Sequence, residues 1–258
     1  MRGYVGPEGS QVHYRMAGST GPVLVLLHES PQASNVFELA LPELGWTMRA
    51  YAFDTPGYGQ SDPPSDPLEI AGYAELLLSA IDELGIDEFA VYGQHTGASI
   101  ALEIARLAGA RVNKAILSGL ALLSPETRAS FLADWAPDKA PKADGSHFND
   151  LWEKYIGLWE SPPELLNLSV TNIASVLDRY NWAYNAAFRH DPAGPLASIE
   201  ASLLLFTARR DMLAYCDAEA LRIRPDAKQV QLTDTTGQLA WREPREFAAV
   251  VHSFLSDS

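Results

Sequence analysis

The side chain best placed for chemistry is a histidine set between two glycines. Gly93-Gln94-His95-Thr96-Gly97 lies directly between an apolar run at residues 89–92 and a helical run at residues 98–107. Glycines on either side let the chain turn sharply from strand into helix and lift the middle side chain above the sheet. The N–H of the next residue, Thr96, then stands at a helix N-terminus, where orphan donors and the helix dipole favour a developing negative charge. An imidazole, with an ordinary pKa of about 6.5, can act at such a point as base, acid or nucleophile near neutral pH.

The elements that must position this turn are legible from period and punctuation. Residues 12–16 alternate and stop at a Gly-rich turn, while Val23–Leu27 is apolar throughout, the mark of a strand covered on both faces. Arg49–Phe53 reads as another strand, followed by the breaker-rich loop from Asp54 to Asp62. Helical spacing marks residues 70–84, and residues 115–117, 203–206 and 229–232 read as further strands before a closing helix at 243–255. Alternation of this kind predicts an α/β fold with a mostly parallel sheet flanked by helices. Residues 124–190 break the rhythm, with no strand candidate and several helical runs interrupted by Pro137, Pro141, Gly145, Pro162 and Pro163. Four of the six tryptophans fall in this region, which reads as a helical lid inserted between sheet strands. The expected division is a core at 1–123, a lid at 124–195 and a second core segment at 196–258.

Composition sets the outer bounds. The chain has 258 residues, 47% hydrophobic and 20% charged, enough for a large core without disulfide staples. With 19 Lys and Arg against 33 Asp and Glu, the net charge of −14 disfavours nucleic acid and anionic membrane surfaces as partners. A small-molecule substrate or ligand is the expected partner. The single cysteine, Cys216, excludes an internal disulfide and a multi-cysteine metal site. No secretory leader or membrane span is visible, so a cytoplasmic location is expected. No cofactor is expected, since there is no phosphate loop or dinucleotide fingerprint.

Several strings in order resemble the α/β-hydrolase superfamily, in the branch holding lidded esterases, haloalkane dehalogenases, epoxide hydrolases and carbon–carbon bond hydrolases. Gly93 to Gly97 matches its nucleophile elbow, Leu27-His28-Glu29-Ser30-Pro31 its oxyanion loop, and Asp54-x-Pro56-Gly57-x-Gly59-x-Ser61 the loop after the next strand. The resemblance places the family's acid at Asp211, its histidine at Gln238, and its oxyanion-hole donors at the backbone N–H groups of Ser30 and Thr96. It therefore implies an α/β-hydrolase fold and a hydrolase-like enzyme.

Three functional positions depart from that pattern. His95 replaces the serine, Gln238 replaces the histidine, and Glu29 replaces the glycine after His28. A serine triad needs a hydroxyl, an imidazole and a carboxylate, and this chain keeps only the carboxylate, so an ordinary Ser-His-Asp mechanism is excluded. Gln238 is expected either between His95 and Asp211, donating to one and accepting from the other, or displaced by a direct His95–Asp211 dyad. Glu29 faces the site or turns to solvent; Trp152, Trp159 and Trp241 are candidate pocket-lining residues. His28 is expected to brace its loop, His190 to be a surface hinge or to face the cavity, and no metal is expected from His28, Glu29 and His95. Two kinds of function remain open. One is an enzyme using His95 as general base or nucleophile on a small, largely apolar carbonyl compound or ester, by hydrolysis or by lyase or isomerase chemistry. The other is a catalytically inactive relative that binds a ligand.

Overall fold

In the computed structural model, which describes residues 1–232 and 234–257 apart from the side chains of Leu158 and Trp159, the strands form one eight-stranded sheet. They are β1 (Arg2–Val5), β2 (Val12–Ala17), β3 (Val23–Leu27), β4 (Arg49–Phe53), β5 (Phe89–Gln94), β6 (Val112–Ser118), β7 (Ser202–Ala208) and β8 (Lys228–Leu232). Their order is β1-β2-β4-β3-β5-β6-β7-β8. Only the β1–β2 and β2–β4 pairings are antiparallel; from β4 to β8 the sheet is parallel.

The continuous apolar run of β3 has the expected cause. Val23, Val25 and Leu27 join the core on one sheet face, and Leu24 and Leu26 join the core on the other. Helices α1 (Ala40–Leu44), α2 (Ile70–Glu83) and α3 (Thr96–Ala108) follow β3, β4 and β5. Five helices then separate β6 from β7: α4 (Pro125–Asp134), α5 (Ser146–Trp159), α6 (Pro163–Ala174), α7 (Trp182–Arg189) and α8 (Ala193–Ser198). The chain closes with α9 (Asp217–Ile223), α10 (Leu239–Arg242) and α11 (Pro244–Ser256). Faces split cleanly: α2 and α3 pack with Val91 and Leu117, whereas Phe247, Val251 and Phe254 of α11 pack with Tyr92, Leu204 and Phe206.

The inserted helices are tied to the sheet by buried polar contacts rather than by apolar packing alone. Asn172 on α6 donates to Gln32 Oε1 at 2.9 Å, and the Ala183 N–H at the start of α7 donates to the Tyr58 hydroxyl at 2.9 Å. Where the insertion returns, His190 Nε2 meets Glu103 Oε1 on α3 at 2.9 Å, and Arg106 holds the other Glu103 oxygen at 2.6 Å. His190 is thus neither a surface hinge nor a cavity residue; it is a half-buried clasp on the flank of α3. Among the described residues no helix is long and apolar enough to cross a membrane.

Candidate active site

Strand order reverses beside β3, whose neighbours are β4 on one side and β5 on the other. At such a switch point the loops leaving the carboxyl ends diverge and open a crevice. The loop after β3 brings His28, Glu29 and Ser30 there, and the turn after β5 brings His95. The loops after β7 and β8 bring Asp211 and Gln238 to the same edge of the sheet.

His95 occupies the turn with φ 49° and ψ −111°, outside the regions open to ordinary L-residues. Such strain, of about 1–3 kcal/mol, persists only where the surroundings over-determine it. Here the His95 N–H donates to the Ser118 carbonyl at 2.8 Å, and its own carbonyl accepts from the Ala98 and Ser99 N–H groups that start α3. The flanking glycines are required by space. A β-carbon on Gly93 would strike the Gly97 carbonyl, and one on Gly97 would strike the Leu27 and His28 carbonyls.

The imidazole meets the carboxylate directly. His95 Nε2 lies 2.9 Å from Asp211 Oδ2 and 3.0 Å from Oδ1, while the Leu213 N–H donates to Oδ1 at 2.8 Å. Burial opposes a charge on either ring or carboxylate, but the pair overcomes it. The Asp211 charge and hydrogen bond, with the Glu29 charge added, hold the His95 pKa above its ordinary 6.5 despite burial. Asp211 is held below its ordinary 3.8 by His95 and the Leu213 N–H, again against burial.

Gln238 does not stand between them. Its side chain donates from Nε2 to Glu29 Oε1 at 3.0 Å, and both residues are buried. The bridging role expected of Gln238 is therefore replaced by the direct dyad, because the loop after β8 aims the amide at the β3 loop. Glu29 faces inward rather than to solvent. His28 braces that loop: Nδ1–H donates to the Glu29 carbonyl at 2.8 Å and Nε2 accepts from the Thr55 N–H at 3.0 Å. Both ring nitrogens are occupied, which removes His28 from any metal site; among the described residues no His, Cys, Asp and Glu group could hold an ion.

Beside His95 and Thr96 lies a cavity of about 40 Å³, walled by Phe131, Trp135, Tyr184 and Phe188 of the insertion and by Met212 and Leu213. Trp152 is 37% exposed and does not line this cavity, nor does the partly buried Trp241. The Trp159 side chain lies outside the described residues. Among the described residues the aromatic groups at the cavity wall are Phe131, Trp135, Tyr184 and Phe188, in place of Trp152 and Trp241.

Gly119 is a residue that sequence reasoning missed. At φ +63° it ends β6, and a β-carbon there would lie 2.5 Å from His95 Cδ2 and 2.8 Å from Nε2. A glycine at the carboxyl end of the strand next to the elbow was the available signal. Gly119→Ala is expected to cost about 1–2 kcal/mol from the left-handed backbone and to push the ring off Asp211. Turnover should fall far more than thermal stability. A variant that melts earlier yet keeps full turnover would show that ring placement is not what Gly119 secures.

The comparisons agree with the fold. A family model described as alpha/beta hydrolase fold matches residues 22–215. Epoxide hydrolase 3 of Siraitia grosvenorii is 37% identical over 105 residues, which is 38% of this chain and 31% of that protein. The chain thus matches about a third of that relative's length. Among solved structures, a bromoperoxidase from Bacillus anthracis superposes with a TM-score of 0.83 at 18% identity over 100% of both chains. An enol-lactonase from Burkholderia xenovorans gives 0.80 at 20% identity over 99% of this chain and 100% of that one, and likeness at such identities concerns the fold alone. With the strand order and the family match in agreement, the chain belongs to the α/β-hydrolase family.

Proposed function

We propose that this chain is an enzyme acting on a small, largely apolar carbonyl compound or ester, with His95 as general base, positioned by Asp211. The observation that carries the reading is the direct His95–Asp211 contact at 2.9–3.0 Å on a strained turn. Asp211 orients the neutral ring and stabilises the imidazolium that forms when the ring takes a proton. A water then adds its oxygen to the carbonyl carbon while its proton passes to the imidazole. The backbone N–H groups of Ser30 and Thr96 receive the oxyanion; Thr96 starts α3, so its N–H has no intrahelical acceptor. Collapse of the tetrahedral adduct expels the leaving group, which recovers the proton from the imidazolium. The helical insertion serves as an aromatic lid over the small cavity beside His95.

The test is hydrolysis of short-chain p-nitrophenyl esters from about pH 5 to about pH 9. The charged groups acting on His95 are Asp211 from the β7 loop and Glu29 from the β3 loop. Tyr184 of α7, on the same cavity, stays neutral because burial lifts its phenol far above the ordinary value. Both carboxylates raise the imidazole pKa, so the rate should climb with pH through one ionisation centred above 6.5. Hydrolysis without such an ionisation would remove His95 as the base. A second reading, proton transfer beside a carbonyl without hydrolysis, is favoured by the Glu29 carboxylate near the same ring. It predicts solvent-deuterium uptake by a ketone substrate in place of ester cleavage.

A further inference from the structure

The hydrogen bond between Gln238 and Glu29 leaves each with one oxygen unanswered. Glu29 is 6% exposed and Gln238 5%. Glu29 Oε2 and Gln238 Oε1 are buried with no hydrogen-bond partner. Flipping the amide does not relieve this, because its carbonyl would then face a carboxylate oxygen that can only accept. Leaving a buried acceptor unsatisfied costs about 1–3 kcal/mol, more when it is charged, and native folds rarely tolerate it without a purpose. The Glu29 charge acts on His95 and on Tyr155 and Tyr184 of the insertion, so this carboxylate is close to both the candidate base and the inserted helices.

We propose that Glu29 and Gln238 form a recognition site for a primary amino group carried by the substrate. Two unanswered acceptors on side chains bonded to each other can both be met by hydrogens on one atom. A hydroxyl offers only one. A carboxylate or phosphate offers none and is repelled by Glu29. An ammonium supplies the hydrogens and a charge opposite to Glu29, making both bonds charge-assisted or nearly so. This deepens the reading above, since it makes the substrate an amino-bearing carbonyl compound, but amino-group binding does not require turnover.

The experiment is calorimetric titration of the full chain with β-alanine methyl ester and with methyl butyrate, which share a shape and differ in an amino for a methyl group. In His95→Ala, which suppresses turnover, the amino ester should bind about tenfold or more tightly than methyl butyrate. Glu29→Gln should erase that preference while methyl butyrate binds as before, and Gln238→Asn, which tolerates the left-handed backbone of φ 62° but is too short to reach, should weaken it. Equal binding of the two esters, or a preference that survives both substitutions, overturns the proposal and leaves an ordered water as the partner of the two oxygens. Loss of both esters in both variants also overturns it, because a specific amino-group site would spare methyl butyrate. If the preference appears in a protein that cleaves no ester, the catalytic reading fails and this one stands.

Discussion

Replacing His95 by alanine should lower turnover by about 10²–10⁴-fold, the range general-base catalysis supplies, while the chain stays folded. The backbone at this turn is held by the Ser118 carbonyl and by the first bonds of α3, none of which involves the ring. What the substitution does remove is the partner of a buried carboxylate. Asp211 keeps the Leu213 N–H, so the stability loss should be about 1–3 kcal/mol rather than a collapse. That loss has a definite pH signature. The His95 pKa is raised, so its contribution is complete below the unfolded value of 6.5 and fades as pH rises through the folded value. The Asp211 pKa is lowered, so its contribution is complete above 3.8 and fades as pH falls through the folded value. The gap between wild type and variant in urea unfolding should therefore be widest between those two values and narrow at alkaline pH. Asp211→Asn should move the pH–rate midpoint down toward the ordinary imidazole value and lower the rate. Undiminished ester turnover in His95→Ala would end the case for His95 as the base.

Much of this site was legible because it depends on local chemistry. Two glycines around a reactive residue, between a strand and a helix, can make few other structures. Val23–Leu27 and Arg49–Phe53 appear as strands at the residues expected, the first apolar throughout and the second closed by the breaker-rich loop that follows it. The short edge strand β1 was not legible: Arg2–Val5 carries no period, and it pairs only through its register with β2, Arg2 opposite Arg15. The exposed residues of α5 expose another limit. Phe148, Trp152 and Ile156 recur at four-residue spacing, the pattern of a buried face, yet they are 49%, 37% and 49% exposed. Period identifies one face of a helix, but what covers that face is decided by its neighbours.

The direction of Gln238 was also beyond the sequence, for a related reason. Whether its amide meets Asp211 or Glu29 depends on how the loop after β8 crosses the loop after β3, more than two hundred residues away in the chain. Replacing the family's histidine with glutamine and its glycine with glutamate look like two separate losses when read along the chain. In the fold Gln238 and Glu29 are partners, and the His95 imidazole contacts the Asp211 carboxylate directly. The pattern is a rearranged set of polar groups rather than a site emptied of them.

The largest expected effect on stability lies beside the site, at Asp54. This carboxylate, 1% exposed, takes the His13 Nδ1–H at 2.7 Å, the Ser34 N–H at 2.5 Å and the Gln60 N–H at 2.9 Å. It thereby joins β2, the loop after β3 and the loop after β4, and Gly59 lies so close that a β-carbon would strike its carboxyl group. Asp54→Ala leaves two buried donors, His13 and the Ser34 N–H, without an acceptor and frees the Gln60 N–H at the surface, which should cost about 3–5 kcal/mol and lower the melting temperature by about 10 °C or more for a chain of this size. Asp54→Asn should cost less, since an amide oxygen placed at Oδ2 still answers His13 and Gln60, leaving the amide nitrogen against the Ser34 N–H. Burial disfavours the Asp54 charge, yet its hydrogen bonds and the nearby histidines hold its pKa below 3.8. Its contribution is therefore present above 3.8 and lost as pH falls through the folded value, so the gap between wild type and Asp54→Ala should close in strong acid. A loss under about 1 kcal/mol at neutral pH would mean that water replaces the carboxylate without penalty. The loop after β3 would then owe its shape to His28 alone, whose ring nitrogens already join the Glu29 carbonyl to the Thr55 N–H.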